Sequence, residues 1–125
     1  MYAHEKIDYV ELPAKNMEST KAFFNEVFGW QFEDSGPNYM AFLNQGISGG
    51  FYRSNLTVSQ DQGSALIIFY SNRLEDTEEK ITKANGTISK ATAFFQGGRR
   101  FHFHDPNGNE FAVWSNFDAD GKICE

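Results

Sequence analysis

The sequence predicts an α+β domain built from two tandem βαβββ modules, and three observations carry that prediction. Strand-like alternation and helix-like spacing follow one another in the same order in each half of the chain. Shifting the chain by 57 positions superposes Glu18 on Glu75, Thr20 on Thr77 and Gly29 on Gly86 without a gap. A polar stretch at about 55–63, NLTVSQDQG, has no apolar period and reads as the linker between the halves. With 125 residues the chain holds one domain of ordinary size, so the modules are halves of one unit.

Each element has a local reason. IDYVELP, from Ile7 to Pro13, alternates and is rich in β-formers, and Asn16 can cap a helix directly after it. Met17, Phe23, Phe24, Val27 and Phe28 have near-helical spacing, and Gly29 supplies a stop. The runs GWQFED, NYMAFLN and GGFYR then read as strands separated by turn residues, completing module one at about 6–54. Module two, about 64–115, repeats the order. ALIIFYS is a strand, Leu74–Ala84 an amphipathic helix ending at Asn85-Gly86, and TISKATAF, RRFHFH and NEFAVWS are strands. A shift of 61 places NYMAFLN on the later RRFHFH strand, which implies a four-residue insertion in the second half. The acidic tail, 116–125, opens like a calcium loop with Asn116, Asp118, Asp120 and Gly121, but position twelve falls past Glu125 and the stretch reads as a loose tail.

Composition narrows the function classes. The chain is 40% hydrophobic and 16% aromatic, with thirteen Phe, which suffices for a real core. A formal charge of −6 offers no general attraction to nucleic acid or to anionic lipid. The single cysteine, Cys124, excludes an internal disulfide framework and a cysteine-rich zinc site, and fits a reducing cytoplasm. No stretch has the length and apolarity of a signal peptide or a membrane span, so a soluble cytoplasmic protein is expected. Phosphate-binding loops, dinucleotide fingerprints and nucleophile elbows are also missing.

The stretch RRFHFHDPNGNEFAVWS concentrates candidate chemistry. Arg100, His102 and His104 occupy alternate positions of one strand, so they point to one surface. Asp105 and Asn107-Gly108 then form a tight turn, with Asp105 capping it and the glycine supplying backbone freedom.

The two βαβββ units, the FFNEVFGW end of the first helix and the DPNGNEFAVW turn and strand together resemble the vicinal oxygen chelate superfamily. That group includes glyoxalases, bleomycin- and fosfomycin-resistance proteins and extradiol dioxygenases. The similarity spans about 6–115 and is greatest to small glyoxalase-like proteins related to lactoylglutathione lyase. The resemblance implies that the paired sheets roll into a partly open cup with a divalent metal at its base, held by the first and last strand of each unit. Carried onto this chain, the ligand positions fall on Tyr9, Leu66, Phe51 and Ala112. Leu, Phe and Ala have no donor atom, and a phenol binds a divalent ion poorly at neutral pH. No metal and no other cofactor is therefore expected, and glyoxalase I activity is disfavoured.

In the implied cup, Tyr9 and Glu11 face inward together with Tyr39, Phe51, Arg100, His102 and Trp114. His102 suits general acid or base catalysis, and Glu11 could serve as a base or fix the tautomer of His102. Arg100 offers a planar fork for a carboxylate, phosphate or enolate oxygen, and Tyr9 a hydrogen bond to an oxyanion. Structural readings stand beside these: Glu11 and Arg100 as a neutralising pair, His102 as a hydrogen-bonded core residue, and Glu110 as a solvated strand end.

The expected function is a glyoxalase-related small-molecule enzyme, a lyase or isomerase working by acid/base chemistry. Its ligand would be partly apolar, with an anionic or carbonyl group facing Arg100. A non-catalytic binder of the bleomycin-resistance type is the alternative. A metal-dependent lyase or dioxygenase using Glu11, His102 and Glu110 is the third reading. The resemblance also implies a homodimer.

Overall fold

The computed structural model describes residues 2–125. The chain runs β1 (Tyr9–Ala14), α1 (Met17–Phe28), β2 (Phe32–Asp34), β3 (Tyr39–Phe42), β4 (Ser48–Arg53), a single 3-10 turn (Gln60–Gln62), β5 (Ile67–Tyr70), α2 (Leu74–Lys83), β6 (Thr87–Phe95), β7 (Gly98–His104) and β8 (Glu110–Ser115). The strands form two four-stranded sheets of matching topology, β1-β4-β3-β2 and β5-β8-β7-β6. In each, the first strand pairs parallel with the last, and the rest of the sheet is antiparallel. The two βαβββ modules are thus real.

Helix α1 begins where Asn16 accepts a hydrogen bond from the Ser19 amide and ends at Gly29, whose left-handed φ of 72° a side chain would strain. Its apolar face carries the core. The Phe24 ring lies 5.5 Å from Phe51 of the first sheet and 5.5 Å from Phe111 of the second. Phe28 stacks on Phe69 at 4.2 Å, and Trp30 stacks on Phe42 at the same distance. One helix therefore buries an inner face of both sheets, each fully enclosed Phe contributing about 1.5–3 kcal/mol by its removal from water.

Trp30 explains why β2 starts later than GWQFED suggests. Its side chain is drawn into this core, and regular pairing begins only at Phe32.

Polar ties also join the modules. Asp105 Oδ1 accepts from the amides of Asn107 and Asn109, closing the turn as the sequence suggests. Asn109 Nδ2 then donates to the Pro13 carbonyl at 2.7 Å, the Asn16 amide donates to Asn107 Oδ1, and Asn107 Nδ2 donates to Thr20 Oγ1. These groups are largely buried, so losing one partner would cost about 1–3 kcal/mol. Arg99, only 4% exposed, forms a bidentate pair with Glu75 of α2 and donates to the Phe117 carbonyl.

The tail is more ordered than expected. Phe117 bridges to Ile123, and Asp118 accepts from the amides of Asp120 and Lys122, which closes a small hairpin. Among the described residues no helix is long and apolar enough to cross a membrane.

Candidate functional site

Strand parity sorts the candidates once the register is known. On β7, Phe101 and Phe103 are wholly buried toward α1, so Arg100 and His102 face the other way, across from Trp114 and Ala112 of β8. On β1, Leu12 and Ala14 face α1, and Tyr9 and Glu11 take the opposite side. Both sheets turn their inner faces to one helix, so these two outer faces look away from each other. The chain does not bring Glu11 to His102, and the single cup expected from Tyr9, Glu11, Arg100 and His102 is not formed within it. Nor do Glu11 and Arg100 pair: among the described residues neither has an ion-pair partner.

Phe51 is a second correction. It is fully buried against Phe24, Phe32 and Phe42, on the core side of β4. The reason is a one-residue slip. Six residues separate Phe42 from its partner Gly49, but seven separate Phe103 from its partner Phe111, so the repeat offset grows by one across the last turn. Ala112, opposite Ile68 and His102, corresponds to Gly50, opposite Glu11 and Ala41. A slip of one reverses the face of a strand residue.

The second sheet's outer face holds a hydrogen-bonded dyad. His102 Nδ1 lies 2.7 Å from Glu110 Oε2, and both side chains are 6% exposed. Glu110, expected as a solvated strand end, is instead roofed by the inter-module linker. The Gln60 amide donates to its Oε1 at 2.8 Å, and its own amide donates to the Val58 carbonyl. Burial pushes the Glu110 carboxyl up, but the Gln60 amide, His102 and the Lys90 charge outweigh it and hold the group below the usual range. An ionised Glu110 accepts the Nδ1 hydrogen and leaves the Nε2 lone pair free. Nε2 has no protein partner among the described residues and is not sealed from solvent. Around it stand Lys90, Arg100 and an aromatic wall, in which Trp114 lies 5.2 Å from Tyr70 and 6.4 Å from Phe95. One signal for the dyad was available: the β7–β8 turn sets Glu110 opposite His104, which makes His102 its diagonal neighbour on the same face.

The first sheet's outer face is different. Tyr9 and Tyr39 hydroxyls are 2.6 Å apart, and Tyr39 Oη donates to Glu11 Oε2 at 2.9 Å. Burial, then the bonds to Tyr9 and Glu11, raise the Tyr39 phenol well above its ordinary value, so it stays neutral.

The metal implied by the resemblance does not fit these residues. With the register corrected, its four positions hold Tyr9, Gly50, Leu66 and Ala112, and the one donor among them is already bonded to Tyr39. Among the described residues no three His, Cys, Asp or Glu side chains come together to hold an ion.

Among curated proteins none matches the chain. Solved structures share its fold. FosX, a fosfomycin resistance protein from Listeria monocytogenes, superposes with a TM-score of 0.74 at 17% identity, over 98% of this chain and 100% of that one. A glyoxalase-related enzyme from Fulvimarina pelagi gives 0.73 at 17% identity over 97% and 98%. Lactoylglutathione lyase from Agrobacterium tumefaciens gives 0.67 at 16% identity over 89% and 93%. At such identities the likeness establishes the fold, two βαβββ modules of glyoxalase type. The sequence profile of the Glyoxalase/Bleomycin resistance protein/Dioxygenase superfamily matches residues 6–113, and the chain belongs to that family.

Proposed function

We propose that the protein is a small-molecule lyase or isomerase that works by proton transfer at His102. The observation that carries this reading is the His102–Glu110 bond, which fixes one imidazole nitrogen as the donor and leaves the other as a base. In the proposed step Nε2 removes a proton from a carbon next to a carbonyl. The electron pair moves onto the carbonyl oxygen, and Arg100, two residues along the strand and on the same face, holds the developing charge. For an α-hydroxycarbonyl substrate, delivery of the proton to the former carbonyl carbon, with the hydroxyl proton passing to the oxygen that took the charge, completes an isomerisation. Departure of a leaving group with its electron pair from the β-carbon, as the carbonyl re-forms and the proton stays on Nε2, completes an elimination instead. Trp114 and its aromatic neighbours supply the wall for a partly apolar substrate.

His102→Ala should abolish turnover of a substrate found by screening α-substituted carbonyl compounds, while binding is retained. Glu110→Gln should lower kcat with little change in KM, because the imidazole loses its orienting carboxylate. Full turnover by His102→Ala would overturn the reading. The aromatic wall favours a second reading, sequestration of a planar compound. In that case Trp114→Ala weakens binding and His102→Ala does not.

The assembly proposed is a homodimer. The first sheet's outer face carries Glu11 and Glu33, and the second's carries Lys90, Arg100 and His102. Apolar side chains are exposed on both, among them Tyr9, Tyr52, Ile68, Tyr70 and Phe95. A second copy placed acidic face to basic face would cover them and bring Glu11 of one chain over His102 of the other. Sedimentation should show a dimer that Arg100→Glu dissociates. A monomeric wild-type protein would refute the assembly and leave the His102 chemistry standing.

A further inference from the structure

The linker between the modules reaches the His102–Glu110 dyad through an unbroken run of hydrogen bonds. Asn109, wholly buried, donates through Nδ2 to the Pro13 carbonyl of β1 and accepts the Val58 amide on Oδ1 at 3.0 Å. The Glu110 amide donates to the Val58 carbonyl, so the linker is held at that residue through both its N–H and its C=O. Two residues on, the chain enters the 3-10 turn, which is closed by bonds from the Gln62 and Ser64 amides to the Ser59 carbonyl and from the Gly63 amide to the Gln60 carbonyl. The first amide of such a turn has no acceptor inside it, and the Gln60 N–H donates instead to Glu110 Oε1 at 2.8 Å. The Gln60 side chain itself is exposed.

That bond decides how the carboxylate sits. With Oε1 held by Gln60 and Oε2 by His102, the plane of the carboxyl is fixed at both oxygens; with His102 alone it would be free to turn. Burial pushes this carboxyl up, and the Gln60 amide is the strongest of the contacts that pull it down, ahead of His102. Without the amide, Oε1 would be a buried acceptor with no donor, and the side chain would swing out toward water. His102 would then lose the acceptor for its Nδ1 hydrogen. In an imidazole without such a partner the hydrogen resides mainly on Nε2, the nitrogen that must stay bare to act as a base.

We propose that the linker belongs to the site: the backbone amide of Gln60 is a positioning group that holds Glu110 in line with His102 and so keeps the imidazole hydrogen on Nδ1. Its consequence for turnover rests on the proton-transfer reading; the tautomer does not. Because the agent is a backbone N–H, Gln60→Pro removes it. Ser59 is extended, with φ −156° and ψ 153°, as suits a residue before proline. The first position of a 3-10 turn has a φ of about −60°, which the proline ring imposes. The readout is the pair of ring nitrogen shifts of His102 at alkaline pH. In the wild-type protein they should show Nδ1 protonated and Nε2 bare. Gln60→Pro should move most of the population to the Nε2–H form, whereas Gln60→Ala, which retains the amide, should give the wild-type pattern. An unchanged tautomer in Gln60→Pro, or an equal change in Gln60→Ala, would overturn the proposal. If Gln60→Pro does not fold, hydrogen exchange in the wild-type protein decides: the Gln60 amide should exchange roughly tenfold or more below its unfolded rate, and exchange at the unfolded rate would overturn the proposal. With a substrate in hand, Gln60→Pro should lower kcat about tenfold and leave KM within about twofold. A changed tautomer with unchanged kcat would refute the proton-transfer reading and leave the positioning role of Gln60 standing.

Discussion

The two outer sheet faces are built on one plan and do different things. Across the first sheet the central row reads Glu11, Gly50, Ala41 and Glu33; across the second the matching row reads Ile68, Ala112, His102 and Lys90. The next row places Tyr39 and Tyr52 on one face and Arg100 and Trp114 on the other. The repeat preserves size near the middle, where Gly50 and Ala112 leave space. It does not preserve charge: acceptors dominate the first face and donors the second. A shared backbone thus sets where side chains point, and each module is free to choose the chemistry it displays.

Phe51 puts this pairing of rows to its hardest trial, because the slipped register would place it on the outer face. Phe51→Ala should cost about 3–5 kcal/mol in urea denaturation, as expected for a core ring. A loss under ~1 kcal/mol would restore the uncorrected alignment.

The turn that ties both modules gives the next effect. Burial raises the Asp105 carboxyl from 3.8 to about 6, against the amides of Asn109, Asn107 and Gly108 that pull it down. A folded state that holds its proton more tightly loses stability as pH rises between the unfolded and folded values. Asp105 alone should therefore cost up to about 3 kcal/mol between pH ~4 and ~6. Denaturation across that window should show the fall in the wild-type protein relative to Asp105→Asn. Glu110 works in the opposite direction, because its lowered value makes stability fall when acid protonates it.

Glu110→Ala should destabilise by about 2–3 kcal/mol, since it strips His102 and the Gln60 amide of a buried partner. Trp114→Ala, half-buried on the outer face, should cost about 1–2 kcal/mol, the smallest of the packing losses. Glu11→Ala, on the exposed face, should change stability by less than ~0.5 kcal/mol. Equal effects at Glu110 and Glu11 would mean that the two faces are alike in burial.

Module order, both helices to within a residue, the Asp105 turn and the placing of Arg100 and His102 on one strand face were all legible in the order of the amino acids. These features obey short-range rules: periodicity of two or 3.6, capping side chains and turn residues all act within a few positions of the chain. Alternation alone also places Tyr9 and Glu11 together on β1. What those faces meet was settled by long-range packing. Whether two outer faces share a cavity depends on how the modules dock, and here one aromatic helix serves both inner faces and turns the outer ones apart. The extra residue in the last turn, which moved Phe51 into the core, shows itself only when strands are paired. Glu110 owes its burial to a polar linker that crosses it from 50 residues away. Such a contact leaves no periodic trace in either segment, because it is made by backbone amides, which nearly every residue carries whatever its side chain.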